Sequence, residues 1–510
     1  WRSTCTLPET THDLVTWRLE NLSSSTRSLL DMLAVANQPL PLALLRDMSG
    51  LQEEQLVPLL ENLVTSGLAV ESGHDMFALP HQLLREALVL PLSSLRQRAI
   101  HRQLATRLDV CPVLQKNFPL RQIALHAVIG EDVERARRYG LRVLDELAQE
   151  NANTQTLDFL RHLSDLLVPT ASPDELWRLA SALGQVHQTL GQLDEAAASY
   201  ESALASAEKM GDVNAQILAH FAAGELALVA NNYEGAARSA SRGLSLSSSL
   251  PDEQRALLMA RGHRLLGAAL AMEGSDLSAA EHHLQEAVAA HRQSDNREDL
   301  CAVLFELGNV AAQRGEIARA LELYEEAAQA AETARVYYFQ ALAYNNLAYH
   351  HLLLGQLEAA QNALTRGYAL AEMHQMFGAL LHLASTRGEI LLYREEWAEA
   401  WTAFQQGFTL AEELGNLERQ AGFRAGLALV ARGQGRLDEA ISLLDEALLL
   451  ISERGYWHLR TRLQLWLAET LLLDRRRGEA EVHLNAALET ARKHGRAHLL
   501  AQGEHLKASL

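Results

Sequence analysis

Apolar and polar positions along this chain recur in long blocks rather than in strict alternation. The phrase GQLDEAAASYESAL opens one block at Gly191. Related phrases follow: GEIARALELYEEAA from Gly315, GQLEAAQNALTRGY from Gly355 and GRLDEAISLLDEAL from Gly435. Their apolar residues return with the period of a helix that buries one face. One alanine sets the register: Ala196, Ala236, Ala280, Ala320, Ala360, Ala400, Ala440 and Ala480 stand about 40 residues apart, with one longer step between Ala236 and Ala280. The turn-forming run Ser247-Ser248-Ser249-Leu250-Pro251-Asp252 falls in that step and predicts a longer loop. Each unit reads as a helix A, a tight turn at Gly or a polar residue, and a helix B. In one unit Leu304, Leu307 and Gly308 lie on helix A, Gly315 makes the turn, and Ala320, Tyr324 and Ala327 follow on helix B. Small residues belong where two helices cross closely, and large ones fill the space between hairpins. Such hairpins cannot bury their apolar faces singly. The pattern therefore predicts an all-α solenoid of about eight hairpins over residues 174–510, with a concave groove.

The N-terminal part leaves this register. Amphipathic helices are predicted at Thr11–Asn21, Ser25–Ala36, Leu42–Met48 and Glu53–Ser66. The run SGLAVESGHDMFAL then places two short apolar stretches around Glu71-Ser72-Gly73-His74-Asp75, which reads as a β-hairpin. Helices plus hairpin predict a small winged-helix domain in residues 1–80. Residues 81–173 read as a helical linker with irregular hairpins, through PHQLLREAL, LRQRAIHRQLATRL, GEDVERARRYGLRVLDEL and TLDFLRHLSDLL.

Composition supports the helical reading and excludes several functions. The chain of 510 residues is too long for one ordinary core, and with only 11 prolines helix formers dominate it. A net charge of -19 repels phosphate backbones over most of the surface, so no direct nucleic-acid contact is expected. Arg85, Arg96, Arg98, Arg102 and Arg107 form the most basic stretch, and an interdomain docking role is expected for it rather than DNA contact. Cys5, Cys111 and Cys301 make neither a disulfide framework nor a zinc spacing, which fits a reducing, cytoplasmic setting. The uncharged stretch Val336–Leu357 carries Gln340, Asn345, Asn346, His350 and His351 and fails as a membrane span, so no membrane association is expected. No G-x-x-x-x-G-K-[ST], G-x-S-x-G, H-E-x-x-H or G-x-G-x-x-G pattern occurs. The histidines at His282-His283, His350-His351 and His494/His498 have no acidic or thiol partners completing a metal set. Neither an enzyme nor a cofactor is expected.

The eight-fold register resembles the tetratricopeptide repeat family from roughly Asp174 onward. Its period points to the longer-helix variety found in bacterial regulators resembling the maltose-regulon activator. The N-terminal order strengthens this: Arg18, Leu19 and Leu22, the winged-helix pattern, then Phe77, His81, Arg85-Glu86, Arg98, His101 and Leu108. It looks like the segment that follows the nucleotide-binding domain in large bacterial signal-transduction ATPases. In those proteins the winged helix packs against the ATPase and a separate domain binds DNA. The resemblance implies a missing upstream ATPase, an expectation that Trp1 in place of an initiator Met reinforces.

The family's concave face is lined by one stripe of helix A residues. Carried over, the register gives Phe305 and Asn309, Asn345 and Tyr349, Ser385 and Glu389, with Leu429 and Arg432 beyond. The cluster Tyr337-Tyr338-Phe339, Tyr344 and Tyr349 is dense for a chain with 5% aromatics, so a groove of Asn and Tyr suits a peptide backbone or small polar ligand. The Lys and Arg of a carboxylate clamp are absent beside those Asn residues, so binding of chaperone tails is not expected. The expected function is a partner- or effector-binding arm, with self-association, of a transcriptional regulator in the signal-transduction ATPase class. A stand-alone scaffold and the regulatory arm of a nucleotide cyclase are the alternatives.

Overall fold

The computed structural model describes residues 19, 22–73, 75–110, 118–150, 153–274, 276–452, 456–493 and 497–508. Apart from Leu19, the predicted helix at Thr11–Asn21 lies outside these, as do Trp1, Cys5, Cys111, His74, His494 and the His498 side chain. The chain forms two compact units, Trp1–Asp212 and Val213–Leu510.

The first unit opens with α1 (Ser24–Ala36), β1 (Leu40–Pro41), α2 (Leu42–Ser49), α3 (Glu53–Thr65), β2 (Val70–Glu71) and β3 (Met76–Ala78). Ser23 caps α1 by accepting from the Thr26 amide. The two strands either side of Gly73 pair antiparallel, Val70 opposite Ala78, and β3 also pairs with β1, giving the sheet order β1-β3-β2. Leu29, Leu30, Leu33, Leu44, Leu45, Leu56 and Leu60 are almost wholly buried and hold these elements together. Next come α4 (Gln82–Val89), α5 (Ser94–Val110), α6 (Leu120–Ile129), a π turn at Ala136–Gly140, α7 (Leu141–Glu150) and α8 (Thr154–Leu167). The regular pattern starts with α9 (Pro173–Thr189), which carries a Ser172/Glu175 capping box, and α10 (Leu193–Met210).

The second unit is all helix: α11 (Val213–Val229), α12 (Tyr233–Ser247), α13 (Asp252–Glu273), α14 (Leu277–Gln293), α15 (Arg297–Gln313), α16 (Ile317–Ala334), α17 (Tyr337–Leu353) and α18 (Leu357–Met373). It continues with α19 (Phe377–Tyr393), α20 (Trp397–Glu413), α21 (Leu417–Gly433), α22 (Leu437–Leu450), α23 (Trp457–Leu473), α24 (Arg477–Lys493) and α25 (Ala497–Lys507). The long step near Ser247 does not only lengthen a loop: α13 has 22 residues where α15 has 17.

The eight register alanines are all at 0% exposure, so the crossing of helix A and helix B sets their size. A second correlation adjusts volume across the same crossing. Where helix B presents an aromatic ring, the helix A residue sixteen positions earlier is glycine: Gly184 faces Tyr200, Gly308 faces Tyr324, and Gly388 faces Phe404. A Cβ at Gly308 would stand 2.6 Å from the Tyr324 ring, and one at Gly388 would stand 2.3 Å from Phe404. In the same register Ala348, Ala428 and Ala468 accompany the smaller Leu364, Leu444 and Leu484, in shared buried clusters. Over these six units the summed volume stays nearly constant while the residues differ, whereas Gly224 and Ala240 leave room that Leu265 enters. The turns from A to B require a left-handed residue, filled by Gly315, Gly355 and Gly435 but by Asn231, Glu395 and Arg475 elsewhere.

Within the second unit each helix A packs on the next, α17 on α19, α19 on α21 and α21 on α23, whereas successive B helices approach less closely and meet through long side chains such as Arg319 and Glu281. The A helices therefore line the inner side.

Candidate functional site

The inner face begins with charges that answer one another. Arg261 on α13 donates to both carboxylate oxygens of Glu225 on α11 at 3.0 Å. Arg264 donates to Glu306 on α15 at 3.0 Å, and that carboxylate is the first cause of its raised pKa. Burial lifts the Glu306 carboxyl despite Arg264, and its Oε2 has no partner.

The middle is a ladder of neutral groups. Tyr324 donates to Asn309 Oδ1 at 2.8 Å, and Asn346 Nδ2 donates to the same oxygen at 2.9 Å. Asn345 Nδ2 donates to Asn346 Oδ1 at 3.1 Å, and Thr386 donates to Asn345 Oδ1 at 2.8 Å. Apart from the bond between Asn345 and Asn346 within α17, each joins neighbouring hairpins or their two helices, so these amides lock the stack.

The far end is open. Ser385 and Glu389 on α19, Arg419, Gly422 and Leu429 on α21, and Arg462 and Trp466 on α23 line a cavity of about 290 Å³. Arg419 Nη2 lies 2.9 Å from His382 Nδ1. Burial, and then Arg419, bring the His382 pKa down to about 3, so a neutral imidazole faces the guanidinium. Glu389 is short of donors: Ser385 Oγ reaches it at 3.4 Å, and desolvation raises its carboxyl above the usual range. Gly422 is helical and a Cβ there would meet nothing within 4 Å, which leaves the cavity its room. A second cavity of about 590 Å³ shares Arg462 and is lined by Tyr233, Met272, Ile317, Tyr349, Leu353 and Trp457, among others.

The six residues singled out from sequence therefore have different places. Ser385 and Glu389 line the smaller cavity and Tyr349 the larger, its phenol raised by burial. Asn309 is a shared acceptor in the ladder. Asn345 is 7% exposed with both amide ends engaged, inside the wall rather than on its surface. Phe305 packs its ring 5.9 Å from Tyr324 and 6.0 Å from Phe339. Beyond them Leu429 lines the smaller cavity and Arg432 pairs with Glu469 at 2.6 Å. His382, Arg419, Gly422, Arg462 and Trp466 escaped the sequence reading. The register groups three of them: His382, Gly422 and Arg462 occupy one repeat position, held by Ala302 and Leu342 in the two units before.

In the first unit the basic stretch is engaged internally. Arg85 donates to the Ala34 carbonyl, Arg96 pairs with Asp31, Arg98 with Glu131, and Arg102 donates to the Gly130 carbonyl. His101 and His126 meet Nδ1 to Nδ1 at 2.9 Å, and burial lowers them to about 4 and about 3. In the second unit His283 meets His263, and His350 meets the Asn346 carbonyl, so these rings have packing partners. Among the described residues no group of His, Cys, Asp or Glu could hold a metal, and no helix is long and apolar enough to cross a membrane.

Comparison with known proteins agrees with this architecture. Residues 178–210, the α9–α10 hairpin, match the tetratricopeptide repeat family. No curated protein matches the chain. A Rap protein complexed with Competence and Sporulation Factor is similar in fold, with a TM-score of 0.52 and 15% identity over 72% of this chain and 99% of that one. A signal-transduction ATPase with numerous domains and a tetratricopeptide repeat sensor, from Pyrococcus horikoshii, aligns over 98% of this chain and 68% of its own, with 14% identity and a TM-score of 0.44. The fold is a tetratricopeptide-type helical repeat.

Proposed function

We propose that this chain is a non-enzymatic binding module that holds a ligand or partner segment in the inner groove of its second unit. The carrying observation is the pair of cavities that share Arg462 in their lining. Cavities of this size, lined by apolar and aromatic groups with a few polar ones, are what small ligands and peptide segments fill. On this reading the first unit is the docking end. Its order of α1, β1, α2, α3, β2 and β3 supports the winged-helix reading, and its arginines engage groups of the same unit. Together with the sequence resemblance, this makes the chain the sensing arm of a cytoplasmic regulator in the signal-transduction ATPase class, with nucleotide chemistry supplied by an upstream domain. Occupation of the groove would favour one spacing of the A helices and so bias that docking end.

The test uses the full chain and a small-molecule and peptide fraction of bacterial extract. The chain is passed through the fraction, washed and analysed by mass spectrometry beside a Gly422→Trp variant. Gly422→Trp fills open space and should fold normally, as its helical circular dichroism will check. A compound retained by the wild type and lost from Gly422→Trp supports the groove. Equal retention by both places the site elsewhere.

A further inference from the structure

Within the first unit, the end of α1 and helices α4, α5, α6 and α7 enclose a cavity of about 510 Å³. Its charged lining is Arg85 on α4, Arg121 on α6 and Glu146 on α7. Arg85 uses Nε for the Ala34 carbonyl, and its two terminal amino groups have no partner among the described residues. Arg121 is exposed and has no partner among them either. Gln38 and Gln122 also line the cavity, and Nε2 of the first and Oε1 of the second are buried without a hydrogen bond. A buried polar atom left unpaired costs stability, so a cavity that gathers two of them beside free guanidinium donors suits a polar, anionic occupant. The histidine pair narrows the choice. His101 and His126 line the same cavity and share one proton between Nδ1 atoms 2.9 Å apart. Burial keeps both rings neutral near neutral pH. A neutral imidazole has one N–H, so the ring that donates from Nδ1 has a bare Nε2, and the other carries its proton on Nε2. Neither Nε2 has a protein partner among the described residues. The lining therefore combines a surplus of donors with acceptors at Gln122 and the bare Nε2. Sulfate and carboxylate ions carry no proton near neutral pH and can only accept. A phosphate with a hydroxyl accepts through its charged oxygens and donates through its O–H. Its tetrahedral shape suits donors arriving from separate helices, whereas a carboxylate presents its lone pairs in one plane.

We propose that this cavity is a phosphate site, taking free phosphate or the phosphate end of a hydroxyl-bearing ester. Arg85 and Arg121 hold the charged oxygens, Gln38 donates to a further oxygen, and Gln122 accepts from the hydroxyl. Free phosphate supplies that hydroxyl itself. An ester supplies a neighbouring one, and its remaining atoms lie along Val35, Leu125 and Ile129. The site belongs to the first unit alone and does not depend on the groove reading.

The experiment is isothermal titration calorimetry of the full chain near neutral pH with inorganic phosphate, glycerol 1-phosphate and sulfate. At least one phosphate should bind, and the tighter of the two tells free phosphate from an ester. Sulfate should bind about tenfold more weakly, because it offers no donor. Arg121→Gln should weaken phosphate about tenfold, with Arg121→Lys recovering part of the loss. Gln122→Leu should narrow the gap between phosphate and sulfate. Neither replaced side chain makes a hydrogen bond to the described residues, so both variants should fold, as circular dichroism will check. Gly422→Trp should bind phosphate as the wild type does. The site is overturned by no heat from either phosphate at millimolar concentration, or by sulfate bound as tightly as phosphate. Full affinity in Arg121→Gln, an unchanged phosphate preference in Gln122→Leu, or loss of binding in Gly422→Trp overturns it equally.

Discussion

The two ends of the groove in the second unit use the same helix A register and pair their charges to different extents. Over α11 to α15, Glu225, Arg261, Arg264 and Glu306 pair with one another across neighbouring helices. Over α19 to α23, Arg432 pairs with Glu469, but Arg419 faces a neutral histidine, Glu389 has one weak hydrogen-bond donor, and Arg462 lies over the Trp466 ring with Glu389 as its nearby opposite charge. Between them the Asn and Thr ladder joins the hairpins. Self-pairing closes a groove and stiffens it, whereas unpaired but half-exposed groups keep hydrogen-bonding capacity for something else. The repeat scaffold is thus one material used for two purposes, and the helix A side chains decide which.

That contrast can be broken at several points. The largest effect is expected at the closed end. Glu306→Ala leaves Arg264 partly buried without its carboxylate, and urea unfolding should show a loss of about 3 kcal/mol. A loss no larger than that of a surface substitution would mean the pair does not hold this end together. At the open end Gly388→Ala drives a methyl group into Phe404 and should cost about 1–3 kcal/mol, with much of it regained in Gly388→Ala/Phe404→Leu. That double variant copies the Ala348 and Leu364 pairing already in the chain, and failure to regain stability would break the volume rule. The buried histidines set a pH dependence. His382, His101 and His126 titrate near 3 to 4 when folded and near 6.5 when unfolded, so the unfolded chain binds more protons between those values. Stability is therefore full above pH 6.5 and falls as the pH drops toward 4, by up to about 1.4 kcal/mol per pH unit for each group. His382→Asn should flatten the part that belongs to the open end, and an unchanged acid slope would show that His382 is protonated in the folded chain. The smallest effect has the opposite sign. Gly422→Ala adds a methyl group to open space in a helix and should raise stability by about 1 kcal/mol or less. Destabilisation there would mean the cavity is already filled.

Much of the scaffold was legible because the repeat tests each position several times. The eight alanines are read as crossing points from their spacing alone, and each is fully buried. The hairpin around Gly73 was legible from turn chemistry, and its strands pair as the flanking apolar runs suggested. The groove was legible only in outline. A register says which residues share a stripe but not how far each turns into the wall. Asn345 and Ser385 share one position; Thr386 on the next helix draws Asn345 inward, and Ser385 remains at the cavity. Arg462 is not legible in the linear pattern because its surroundings, Trp466, Glu389 and Tyr349, come from three helices at once. The buried pair of His101 and His126 was hidden for the same reason, since the two rings stand on different helices, α5 and α6. Pairing across helices is a property of the packed state, and a linear pattern does not carry it.

The most direct test of the open groove is hydrogen exchange of the full chain, measured by mass spectrometry with and without the compound retained from the extract fraction. The account predicts slower exchange in α19, α21 and α23, around Ser385, Gly422 and Arg462, and no change in α11 and α13. Protection confined to α11 and α13, or to the first unit, would contradict it.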